Sequence, residues 1–169
     1  MTAAIAHGTA PFPVGQVHSS DFTALEALLG EEFQGTKGKV YRLAKAAAAQ
    51  TSAGGLVYKR NAEGSDTVAV GAVSADMVCG VTVSDQVDIA LGDYFFLQVA
   101  GEVTLNGKSS HGIIVGDGVK VASSGAGKVQ VDGASAGTYS SAGGACPIRV
   151  HTVVSTNVFT GYIQGKLIG

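Results

Sequence analysis

A short β-type run closed by glycine or Gly-Asp recurs along this chain, with almost no reactive side chain inside it. The runs are Val40 to Ala46, Gly55 to Lys59, Thr67 to Ala72, Tyr94 to Ala100, Ile113 to Val115, Val119 to Ala122, Val129 to Val131, Ile148 to Val154 and Val158 to Gln164. Phe95, Leu97 and Val99 alternate with Tyr94, Phe96 and Gln98, and Val119 and Val121 flank Lys120. A period of two puts one face in a core and the other outward. About eight to ten such strands predict an all-β fold, a small barrel or sandwich. Asn106-Gly107 predicts a two-residue hairpin turn.

Composition limits that core. Aromatics make up 7% of the chain, Trp is absent and Gly numbers 25, so the apolar mass is Ala and Val. Each Gly costs roughly 0.5–1 kcal/mol of backbone entropy relative to Ala. A thin core with that burden predicts help from a partner or from self-association.

A net charge of −2 argues against nucleic acid as the ligand. The charges are segregated. Residues 1–36 hold Asp21, Glu26, Glu31 and Glu32 without a base, and residues 37–60 hold Lys37, Lys39, Arg42, Lys45, Lys59 and Arg60 without an acid. Residues 61–107 are acidic again, with no base. Pairing between neighbouring strands of one sheet accounts for this; head-to-tail complementarity between copies is the sharper reading. Cys79 and Cys146 stand 67 residues apart without a CxxC, and are expected as buried free thiols. The opening Met1-Thr-Ala-Ala-Ile-Ala-His-Gly lacks the pattern of a signal peptide, which predicts synthesis and use in a cytoplasm. No apolar run reaches the length of a membrane span, and no membrane partner is expected.

Residues 1–34 read as an arm ahead of a β-domain over 35–169. Pro11-Phe12-Pro13-Val14-Gly15 favours an extended path. Residues 21–29 predict one short helix, capped by Ser20 or by the box Thr23-Ala24-Leu25-Glu26 and stopped by Gly30. Phe22, Leu25, Leu28 and Leu29 share a face at helical spacing. A helix of about nine residues does not stand alone, so it must dock on the body or on another protein. Pro11, Phe12, Pro13, Phe22, Leu25, Leu28 and Leu29 are therefore the candidate partner-contact residues.

Catalytic patterns fail one by one. Gly133-Ala-Ser135-Ala-Gly137 matches a nucleophile elbow, but the following Thr138 to Pro147 cannot supply the helix, and no acid follows Asp132. Gly125-Ala-Gly127-Lys128 lacks the earlier Gly and the trailing Ser or Thr of a phosphate loop. His7, His18, His111 and His151 form no metal-ligand spacing, and Asp85, Asp88 and Asp93 no calcium loop. No enzyme activity, cofactor or metal is expected. Tyr94-Phe95-Phe96 puts aromatics on both faces of one strand: one face in the core, the other under a loop or against another subunit.

Several of these segments together resemble the head decoration (cement) proteins of tailed bacteriophages and related capsid-accessory β-proteins. They are Gly38-Lys-Val-Tyr-Arg-Leu-Ala-Lys-Ala46, Ala53-Gly-Gly-Leu-Val-Tyr58, Gly92-Asp-Tyr-Phe-Phe-Leu-Gln-Val-Ala-Gly101 with Glu102-Val-Thr-Leu105, Gly116-Asp-Gly-Val119, Gly127-Lys-Val129 and Gly161-Tyr-Ile-Gln-Gly-Lys-Leu167. The likeness, one of layout and composition, spans roughly residues 35–169. It implies a β-barrel or β-tulip domain on the outside of a phage head, a homotrimer bound to the major capsid protein, which stabilises the expanded shell of the virion. In several such proteins an N-terminal arm adds to the capsid protein as a strand. The present chain departs in the residues ahead of the domain. A receptor- or glycan-binding domain of a phage fibre or spike is the alternative, and a hydrolase using Ser135 with His151 a third reading.

Overall fold

The structure, a computed structural model, describes residues 10–50, 54–60, 67–70, 78–83, 88–109, 112–122, 127–131 and 145–164. Ten strands run through them: β1 Glu32–Gln34, β2 Val40–Ala46, β3 Val57–Arg60, β4 Thr67–Val70, β5 Val78–Thr82, β6 Tyr94–Asn106, β7 Gly118–Val121, β8 Val129–Val131, β9 Ala145–Ser155 and β10 Val158–Ile163. The fold is all-β, as the alternation predicts, and holds a closed five-strand barrel. The ring runs β2-β4-β3-β5-β6 and closes where β6 pairs with β2.

Strand β6 builds both halves of the molecule. Its first half pairs with β2 and β5 in the barrel. Its second half, Gly101 to Asn106, leaves the barrel and pairs with β10, from which β9, β7 and β8 follow. The changeover sits at Gly101, where φ is +85° and a Cβ would lie 2.9 Å from the Gly38 carbonyl oxygen. Only glycine combines that backbone with that approach. Buried Gln98 braces the bend, its Nε2 donating to the carbonyls of Ala100 (3.0 Å) and Glu102 (2.5 Å).

Three apolar clusters follow from this path. Ala44, Tyr58, Cys79, Phe95 and Leu97 belong to one, held by the barrel strands. Val57, Val81 and Val99 of the barrel pack with Val103, Ile148 and Phe159 of the second sheet. On the opposite wall, Tyr41, Leu43, Tyr94 and Phe96 meet Phe12 and Phe33. Strand β6 thus buries both faces, and Tyr94 and Phe96 lie under the N-terminal segment. They are not an open patch for another subunit. Space inside is tight: at Gly80 a Cβ would stand 2.6 Å from Leu97 Cβ.

Several local expectations change. Residues 21–29 do not form an α-helix; Thr23–Leu28 is a 3-10 helix whose N-cap is Phe22, with no side-chain cap. The capping box fails because Glu26 bonds to Lys45 and Tyr94 instead. Glu32 to Gln34, at the end of the expected arm, form β1 and pair with β2. Ile113 to Val115 form no strand; Asp117 Oδ2 accepts from the Ile114 amide and closes a turn there. Asn106-Gly107 makes no hairpin, since the Asn106 side chain donates to the Gly54 carbonyl and tethers the loop before β3. The two-residue turn lies at Thr156-Asn157, between β9 and β10. Cys79 is a buried thiol in no disulfide, its Sγ donating to the Tyr58 carbonyl at 3.4 Å, while the Cys146 side chain lies outside the described residues. So do Ser135 and its glycines, His7, His111 and Asp85.

Candidate functional site

The N-terminal segment and the barrel wall beneath it form the candidate contact site. Pro11 and Pro13 hold residues 10–14 open around a shallow hollow of about 420 Å³. Between the two prolines Phe12 turns inward and is 8% exposed. Its ring centroid lies 4.7 Å from Phe96 and 4.2 Å from His18. His18 forms an isolated antiparallel bridge with Tyr94, at 2.9 and 2.8 Å. Phe22 stacks edge-on against His18 at 4.9 Å but stays 54% exposed. Leu25, Leu28 and Leu29 are half-buried against the same aromatic cluster.

A polar latch completes the docking. Glu26 Oε2 accepts from Lys45 Nζ at 2.8 Å and from the Tyr94 hydroxyl at 2.6 Å. Lys45 first, then Tyr94, holds the Glu26 carboxyl below its usual range. The bond to Glu26 is in turn the main cause that raises both Lys45 and the Tyr94 hydroxyl. Deeper in, Arg42 and Glu32 face each other in register on β2 and β1, 2.9 Å apart and nearly sealed from solvent. Both pairs join the acidic opening block to the basic block after it, within one molecule. Pairing of neighbouring elements was legible from the charge pattern, and of the two docking sites the short helix allowed, the body or another protein, the structure shows the body.

Of the predicted contact residues, Phe12 is buried in the molecule's own cluster. Leu25, Leu28 and Leu29 are partly committed to it. Pro11, Pro13 and Phe22 remain exposed. A second surface was not singled out from sequence. On the outer face of the second sheet Tyr162 of β10 stands between Glu102 of β6 and Arg149 of β9. His151 packs against Tyr162 at 4.9 Å, and its Nε2 lies 3.2 Å from Glu102 Oε1, close enough for an ion pair but not aligned as a hydrogen bond. Arg149 Nε is buried with no hydrogen-bond partner among the described residues.

No group of three metal-ligating side chains comes together among the described residues, and no helix there is long and apolar enough to cross a membrane. Fold and site define an all-β barrel protein with an N-terminal segment docked along its wall. No protein-family model matches the chain, and no curated protein or solved structure is detectably similar to it.

Proposed function

We propose that this protein is a structural component of a phage virion that binds the outside of the head and stabilises its expanded shell, its partners the major capsid protein and further copies of itself. The observation that carries this reading is the docked segment, which keeps Phe12 and its leucines on the barrel while presenting Pro11, Pro13 and Phe22 outward. Rigid prolines and an exposed aromatic give contact area at low ordering cost. A ligand that binds only the expanded shell lowers the free energy of that state. The resemblance in layout supplies the kind of partner.

The test mixes the purified protein with undecorated phage heads. Saturable binding, weakened by Pro11→Asp and Phe22→Asp, is expected. Exposed positions suit this test better than deleting residues 1–33, which would strip the cover from Tyr94 and Phe96. A protein that leaves the heads bare at saturating concentration refutes the proposal.

The alternative, a receptor- or glycan-binding domain, is supported by the exposed Tyr162 ring with Glu102, His151 and Arg149 around it. Aromatic rings seat the apolar faces of sugars while charged groups take their hydroxyls. Specific signals on a glycan array, lost in Tyr162→Ala, would favour that reading.

A further inference from the structure

Among the described residues, the distal half of β9 has a strand on one side alone. On one side Thr152, Val153 and Ser155 pair with Thr160, Phe159 and Val158 of β10. On the other side β7 accompanies β9 only as far as Arg149. The turn before β7 then adds two bonds at Val150: the Gly116 amide donates to the Val150 carbonyl (2.8 Å), and the Val150 amide to the Asp117 carbonyl (3.0 Å). Because that turn reverses at Ile114 to Asp117, no described strand continues beside Thr152 to Ser155.

Apolar side chains gather at this edge. Of the seven large apolar residues exposed among the described residues, Val153 and Val154 lie on this edge and Ile114 and Val115 on the turn beside it. Ile114 and Val115 sit on the turn that ends where the open stretch begins. A register shift between Val158 and Phe159 makes Val154 an extra residue of β9, and both neighbouring valines face solvent, 45% and 59% exposed. Thr152 to Asn157 carry no charge and no proline, two of the devices that blunt a lone edge, while the bulge at Val154 twists it.

We propose that this edge is a self-association surface on which a second copy of the chain pairs its own β9 antiparallel. Such a contact is isologous and closes at two copies. Pairing centred on Val153 sets that valine against its own copy and Thr152 against Val154, β-branched residues in a favourable combination. It sets His151 against Ser155, so no like charges meet. Two half-filled valine surfaces are covered at once, which supplies the outside help that a thin Ala-Val core calls for. This surface is separate from the N-terminal site, and its test does not depend on capsid binding.

Sedimentation equilibrium and native mass spectrometry of the full chain decide it. A species of twice the 16.9 kDa chain mass is expected. Val153→Lys and Val153→Glu should each weaken it by at least about tenfold through like-charge contact across the two-fold. Mixing the two variants should restore a heterodimer. Val153 is exposed, so both variants should keep the parent's circular dichroism and melting point; Val154→Lys repeats the test one residue along. A parent that stays monomeric, an oligomer of another size, or a dimer indifferent to these changes overturns the proposal. So does a monomer whose valine edge binds shell protein instead.

Discussion

Phe12→Ala tests whether residues 10–30 belong to the folded body. Full burial of a Phe side chain stabilises by about 1.5–3 kcal/mol, and the tilted contact with Phe96 adds roughly 0.5–1.5. The ring is 8% exposed, and it borders the open hollow along Ala10 to Val14, so truncation there creates less new void than in a sealed core. A loss of about 2–3 kcal/mol is expected, below the roughly 3–5 of Phe→Ala in a closed interior. At roughly 2–4 °C per kcal/mol for a chain of this size, the melting point should fall by about 5–10 °C. If the segment detaches before the barrel melts, the loss appears locally. Hydrogen exchange at the His18 and Tyr94 amides, which bridge the segment to β6, should then quicken by roughly 30- to 150-fold. Phe22→Ala, at an exposed ring, should stay within about 0.5 kcal/mol. An unchanged melting point together with unchanged exchange in Phe12→Ala refutes the docking.

Three further outcomes follow from the same geometry. Glu32→Ala leaves Arg42 buried without its carboxylate and should cost about 3–5 kcal/mol in urea unfolding, whereas the joint change Glu32→Leu with Arg42→Met should cost much less. Tyr58 is fully buried, its hydroxyl has no hydrogen-bond partner among the described residues, and burial pushes its pKa far up. Tyr58→Phe should therefore leave stability unchanged or raise it by up to about 1 kcal/mol. In the parent, stability should fall as pH rises above 10.0, where the unfolded tyrosine ionises and the folded one does not. Glu26 is held below its ordinary value of 4.5, so its contribution is present above that value and is lost as pH falls through the lower folded pKa. Protection of the His18 amide, measured against the exchange rate of a free amide at the same pH, should fall in acid for the parent and lose that pH dependence in Glu26→Gln.

The strands with clean alternation were legible. Val40–Ala46 and Val129–Val131 form over the residues the pattern marks. Two strands were missed for opposite reasons. Glu32–Gln34 is too short to show a period, and Val78–Thr82 is buried on both faces, so nothing alternates. Gly101 reads as a stop after Ala100, yet the strand bends through it and runs on to Asn106. The short helix was visible as an apolar face, but its winding was set by Glu26 turning to Lys45 and Tyr94, partners 19 and 68 residues away. The same limit governs the site. Proline and leucine positions mark an extended apolar segment; which surface receives it depends on where Tyr94 and Phe96 face after the barrel closes. The row Glu102, Tyr162, Arg149 arises from strand register alone, which local sequence does not carry.

Binding to undecorated, expanded phage heads, followed by sedimentation across a concentration series, tests the central claim most directly. Saturable uptake at a fixed number of copies per shell, with heads that then withstand heating that breaks bare ones, is the predicted result. Heads that stay undecorated, or that take up protein without saturation or added resistance, contradict it.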